Sequence, residues 1–183
     1  MYPWELDDSI WKSKAQFMTW MRGGLRRSLW NRHPEKIAKI KEERFQIPNP
    51  NPRGRKKEVW ACKCSVCQNT FVQKDCEVDH LLPAGALNEV RDIQHFVERL
   101  ALITRRDMRI VCKACHKIIS LAERRGITLA EARVAKKLIA FKKLKKAAKQ
   151  SMLSELGLPS EGTVTDLDSA YECHLKREAN EGR

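Results

Sequence analysis

The sequence predicts an α+β fold, a small strand-and-helix core flanked on both sides by α-helical extensions. Three observations lead there. Two CxxC pairs, Cys64 with Cys67 and Cys112 with Cys115, enclose a series of short strand-like runs. Segments before and after that stretch carry apolar residues at helical spacing. Between the pairs stands an Asp79-His80 dipeptide, and His116 follows the last cysteine, so residues able to do chemistry gather where the cysteines would be drawn together.

The first extension covers residues 1–57. Trp11, Ala15, Met18, Met21, Leu25 and Leu29 recur on one helical face from Asp8 onward, with Ser9 as the expected N-cap and Gly23-Gly24 as a point of interruption. Pro34 suits the first position of a second helix running to about Phe45, which carries Lys36, Lys39, Lys41 and Arg44. The stretch 47–57 holds Pro48, Pro50 and Pro52, followed by Arg53, Arg55, Lys56 and Lys57. Proline fixes φ and removes a donor, so this run is expected to be an extended linker whose basic end lies along phosphates.

The central module covers 58–126. Val59–Cys62 and Thr70–Val72 flank the first CxxC as strands, and Cys76–Leu81 is a third strand bearing Asp79 and His80. A loop opens at Pro83 and Gly85. A helix over Ile93–Ile103, a strand over Met108–Val111 and a helix over Lys113–Arg125 complete it. Beyond it, residues 127–156 read as one basic amphipathic helix. Thr128 and Glu131 form its capping box, and Val134, Leu138, Phe141 and Leu144 form its apolar stripe. Arg133, Lys136, Lys137, Lys142, Lys143, Lys145, Lys146 and Lys149 crowd its other faces, more cation than solubility requires. Residues 157–183 turn acidic and polar and are expected to be a peripheral tail in which Cys173-His174 is incidental.

Four thiolates at this spacing suit one tetrahedral zinc, each CxxC supplying two ligands from a tight turn. Cys62 competes with Cys64 for the first position, although the gap from Cys64 to Cys67 matches the second pair better. The CxxCH run is also a haem-attachment pattern, which the matching upstream CxxC argues against. The N-terminal residues lack the basic and apolar regions of an export signal, and no run approaches the ~18 apolar residues of a membrane span. A cytoplasmic location is expected, where clustered cysteines serve metals rather than disulfides. The formal net charge of +13 and the 32% of charged residues imply a polyanionic partner, with nucleic acid foremost. The five tryptophans are expected in cores or interfaces more than as base-stacking platforms.

CSVC at 64–67, VDHLLPAGAL at 78–87 and IVCKACH at 110–116 together resemble an HNH endonuclease of the zinc-stapled type. VDHLLPAGAL and FVERL at 96–100 are similar to the small HNH endonucleases of tailed bacteriophages, some of them homing enzymes, and LRRSLWNRHPEK at 25–36 resembles their N-terminal extensions. The resemblance implies the ββα-metal (His-Me finger) fold and a metal-dependent endonuclease or nickase acting on double-stranded DNA. For a phage-encoded chain the site of action is the host cytoplasm. His80 would be the general base that activates water, a task suited to an imidazole with an ordinary pKa near 6.5. Asp79 and His116 would ligate a catalytic Mg2+ or Mn2+, which stabilises charge on the phosphorane and the leaving 3′ oxygen. Cys64, Cys67, Cys112 and Cys115 would hold the structural Zn2+.

The chain departs from the family at one letter. The middle asparagine, five residues before the third zinc cysteine, is replaced by Asp107. A carboxylate accepts the same hydrogen bonds but donates none. Three roles stay open for Asp107: bracing the loop behind the catalytic histidine, a weak contact with metal, or a solvated turn residue. The alternative function is a zinc-ribbon DNA-binding or regulatory protein with a degenerate nuclease site. A structured RNA is a third possibility, because phosphate contacts do not separate the two acids.

Overall fold

Helix α1 covers Lys14–Leu25, later than the apolar spacing predicts, because the Ser13 hydroxyl, rather than Ser9, accepts from the Gln16 N–H. Gly23-Gly24 does not break it. The interruption comes one turn later, in a five-residue π-helical turn at Arg26–Trp30 whose Asn31 N–H reaches back to the Arg26 carbonyl at 3.0 Å. Helix α2 (Pro34–Glu43) begins at its proline as expected. In the computed structural model, which describes residues 1–51, 53 and 55–181, the chain divides into two compact units, Met1–Cys115 and His116–Arg183.

In the first unit, strand β1 (Phe45–Pro48) pairs antiparallel with β2 (Glu58–Lys63), which pairs in turn with β3 (Thr70–Val72). The start of the supposed linker is therefore an edge strand, with Pro48 at its end where no ladder donor is lost. Pro52, counted in that linker, lies outside the described residues. A second sheet joins β4 (Cys76–His80) to β5 (Met108–Cys112), antiparallel, with Cys76 opposite Cys112, Asp79 opposite Arg109 and His80 opposite Met108. Helix α3 (Asp92–Ala101) starts without a side-chain cap, and the Asp92 carboxylate in its first turn accepts from the Asn88 and Glu89 N–H groups of the preceding loop.

One core joins α1, the π-helical turn, α2, α3 and strands β2, β4 and β5. Met18 and Trp30 from the N-terminal segment are buried with Cys62, Val78, Leu87, Phe96, Leu100, Met108 and Ile110. The N-terminal helices thus belong to the same packed body as the strands that carry the motifs.

Helix α4 (Lys113–Arg125) matches its expected bounds. In the second unit the basic stretch is two helices, α5 (Leu129–Lys142) and α6 (Lys146–Glu155), and Thr128 and Glu131 form the predicted capping box of α5. Leu144 falls between them and is exposed. The acidic tail is not peripheral: α7 (Val164–Glu181) buries Leu167, Tyr171 and Leu175 against Phe141 and Leu153. Asp168 and Glu172 lie between those three apolar positions, spaced by four residues, and hide a stripe that net composition conceals.

Candidate metal centre and hydrolytic site

The first CxxC occupies a tight turn after β2. Gln68, at φ 61°, closes it by donating its N–H to the Cys64 carbonyl at 2.9 Å, while the Cys64 N–H reaches the Asn69 carbonyl at 2.9 Å. The Ser65 N–H and hydroxyl both donate to the Ile110 carbonyl, at 2.9 and 2.8 Å, and lock this turn to β5. Cys112 ends β5 and Cys115 follows in the first turn of α4, where the Cys115 N–H points at the Cys112 sulfur at 3.4 Å.

The Sγ atoms of Cys64, Cys67, Cys112 and Cys115 all lie within 4.8 Å of one another. Zinc–sulfur bonds of ~2.3 Å in a tetrahedron place sulfurs ~3.8 Å apart, so the quartet can hold a metal ion such as zinc. Its electrostatics point the same way. Burial opposes ionisation of Cys64, but hydrogen bonds from the Cys67, Cys112 and Val66 backbone outweigh it and bring the thiol down to about 6. Burial pushes the Cys115 thiol up, and the neighbouring cysteines add to that rise. A cluster in which one thiolate forms easily and the next resists is what a divalent cation would relieve. Cys62 is buried in the hydrophobic core and stands outside the quartet.

At the other end of the β4–β5 pair, alternation along β4 sends Asp79 and His80 to opposite faces. Arg109 Nε and Nη2 both lie 2.9 Å from Asp79 Oδ2, across the strand pair. His80 is 9% exposed, and its ring stacks on Trp30 at 3.8 Å between centroids with 29° between planes. Its Nε2 is buried without a hydrogen-bond partner among the described residues. Burial lowers the imidazole to about 4, against the opposing charge of Asp79 and with help from Arg26 and Lys36. The ring is therefore neutral at physiological pH, and it lines a cleft of about 370 Å3 with Leu82, His95, Arg99, Leu102 and Asp107.

Asp107 reaches the loop after His80 through its backbone. Its carboxylate accepts from the Thr104 N–H and hydroxyl, at 2.8 and 2.9 Å, and these bonds hold it below the usual carboxylate range. Its carbonyl accepts the Leu81 N–H at 2.8 Å, tying down the residue after His80. A main-chain carbonyl does not depend on the missing asparagine amide. His116 lies on α4 in the second unit, half-buried.

Arg53, Arg55, Lys56 and Lys57 are exposed, as are Arg133, Lys137, Lys142, Lys143, Lys145 and Lys146, while Lys136 is half-buried. Lys137 lies 3.4 Å from Glu178. Lys149 departs from the expected basic face: it is 1% exposed, paired to Asp168 at 2.6 Å, with its ammonium 5.5 Å from the Phe141 ring centroid.

Sequence reasoning missed Trp30 and Arg109. Pairing β4 with β5 in antiparallel register from the two cysteine anchors would have found Arg109 opposite Asp79. Nothing in the helical spacing of the N-terminal segment pointed Trp30 at His80. No family model, curated protein or solved structure matches this chain. Among the described residues no helix is long and apolar enough to cross a membrane.

Proposed function

We propose that this chain is a zinc-stapled, metal-dependent DNA endonuclease or nickase of the HNH type, with His80 as the general base. The observation that carries the proposal is the state of His80: a neutral imidazole, with Nε2 unpaired by the described residues, lining a cleft at the end of a cysteine-anchored strand pair. Such a ring can accept a proton from water as it attacks a phosphodiester. Structural Zn2+ would sit in the cysteine quartet. Mg2+ or Mn2+ would bind at Asp79, a donor the family resemblance assigns, and would neutralise charge on the phosphate. The exposed cations of 53–57 and of α5–α6 would bind the DNA backbone without reading sequence.

A second reading, a zinc-ribbon DNA-binding or regulatory protein with an unused hydrolytic site, is favoured by Arg109, which already neutralises Asp79. Supercoiled plasmid incubated with the protein across Mg2+, Mn2+ and other divalent ions separates the two. Nicked or linear product with 5′-phosphate and 3′-hydroxyl ends supports hydrolysis. Duplex binding without cleavage under every ion supports the second reading, and preference for a structured RNA competitor would move the substrate to RNA.

A further inference from the structure

We infer that Trp30 is a positioning residue for His80: it lays its indole face on the imidazole and fixes the plane in which that ring meets the cleft. The inference rests on the hydrolytic role proposed for His80 and extends it to a residue outside the motif-bearing segment.

Three observations converge. The two rings stack at 3.8 Å, and both residues are nearly closed to solvent, at 8% for Trp30 and 9% for His80. Terminal ring torsions are broad, so an imidazole keeps one plane only if something holds it. Because Nε2 has no hydrogen-bond partner among the described residues, no polar contact at that atom supplies the restraint, and the stacked face does.

Trp30 is itself aimed. It closes the π-helical turn at Arg26–Trp30, where the wider backbone ring rotates the following side chains away from the stripe that α1 would continue. It is then held in place by α2 and its cap. The Lys36 ammonium lies 4.6 Å from the indole centroid, and the His33 ring centroid lies 6.4 Å away. His33 is anchored in turn, with Nε2 3.0 Å from the Ala101 carbonyl. Filling a core needs only apolar volume, whereas holding a ring plane needs a flat face. Trp20, 55% exposed on α1, has no such role and serves as the control.

The test measures kcat and KM for supercoiled plasmid cleavage in Mn2+ for wild type, Trp30→Phe, Trp30→Leu and Trp20→Leu, each with its metal content and folding checked. Trp30→Leu keeps apolar bulk but no face, so kcat is expected to fall about 10- to 100-fold with KM little changed, as for a displaced reacting group. Trp30→Phe restores most of the loss, and Trp20→Leu matches wild type. The His80 ring-proton resonances, shifted by the indole ring current, move in Trp30→Leu and stay close to wild type in Trp30→Phe. An active wild type with an equally active Trp30→Leu overturns the inference, as does a Phe variant as impaired as Leu. A wild type that cleaves under no divalent ion removes the hydrolytic reading itself, and this role with it.

Discussion

At the scale of single residues, His80 couples the candidate chemistry to stability. Its folded imidazole titrates near 4 against an ordinary 6.5, so acid protonates the unfolded chain first. The stabilisation is complete above about pH 6.5 and is lost as pH falls toward 4. Between pH 7 and 5 this one group is expected to cost about 2 kcal/mol, relative to a His80→Gln variant that lacks it. Urea denaturation of both proteins at the two pH values checks it; parallel losses would show that burial does not hold His80 neutral. His80 stood out in the sequence because the Asp79-His80 pair falls between two CxxC pairs. Trp30 was not, because its aim depends on a backbone irregularity that spacing alone does not announce. Asp107 stood out as a departure, yet its contact with the loop after His80 runs through a carbonyl that every residue possesses.

At the scale of elements, the cysteine-bearing turns and α4 followed from local rules, since CxxC turns and helix starts are set by neighbours in sequence. The tail was misread for the opposite reason. Leu167, Tyr171 and Leu175 occupy one side of α7, and their burial depends on Phe141 and Leu153, well before them in the chain. Lys149 was misread with it, because its partner Asp168 lies on that helix. Asp168→Ala should leave a buried ammonium uncompensated and destabilise the protein by about 3 kcal/mol, while adding Lys149→Met should restore most of it. Thermal unfolding of the single and double variants reads the outcome, and a double variant no better than Asp168→Ala would place the cost elsewhere. For the cysteine turns, elemental analysis should find ~1 zinc per chain, and Cys115→Ser should lose both the metal and the near-UV signal of the first unit, because binding energy is folding energy at such sites. A metal-free wild type with intact tertiary structure would contradict the staple.

At the scale of the whole molecule, the α+β class and the gathering of the four cysteines were legible, and the packing of the N-terminal segment was not. Met18 and Trp30 share a core with the motif strands, so the stretch that resembles an appendage contributes the face against His80. Charge predicted a polyanion and left its identity to the site. The central claim is that this core presents His80 as the base of a phosphodiester hydrolysis. Its most direct test is the initial rate of supercoiled plasmid cleavage in Mn2+ by His80→Ala and wild type, at matched zinc content. Wild type should cut, and the variant should be slower by about 100- to 10,000-fold, the range for loss of a general base. Equal rates for the two proteins would contradict the account.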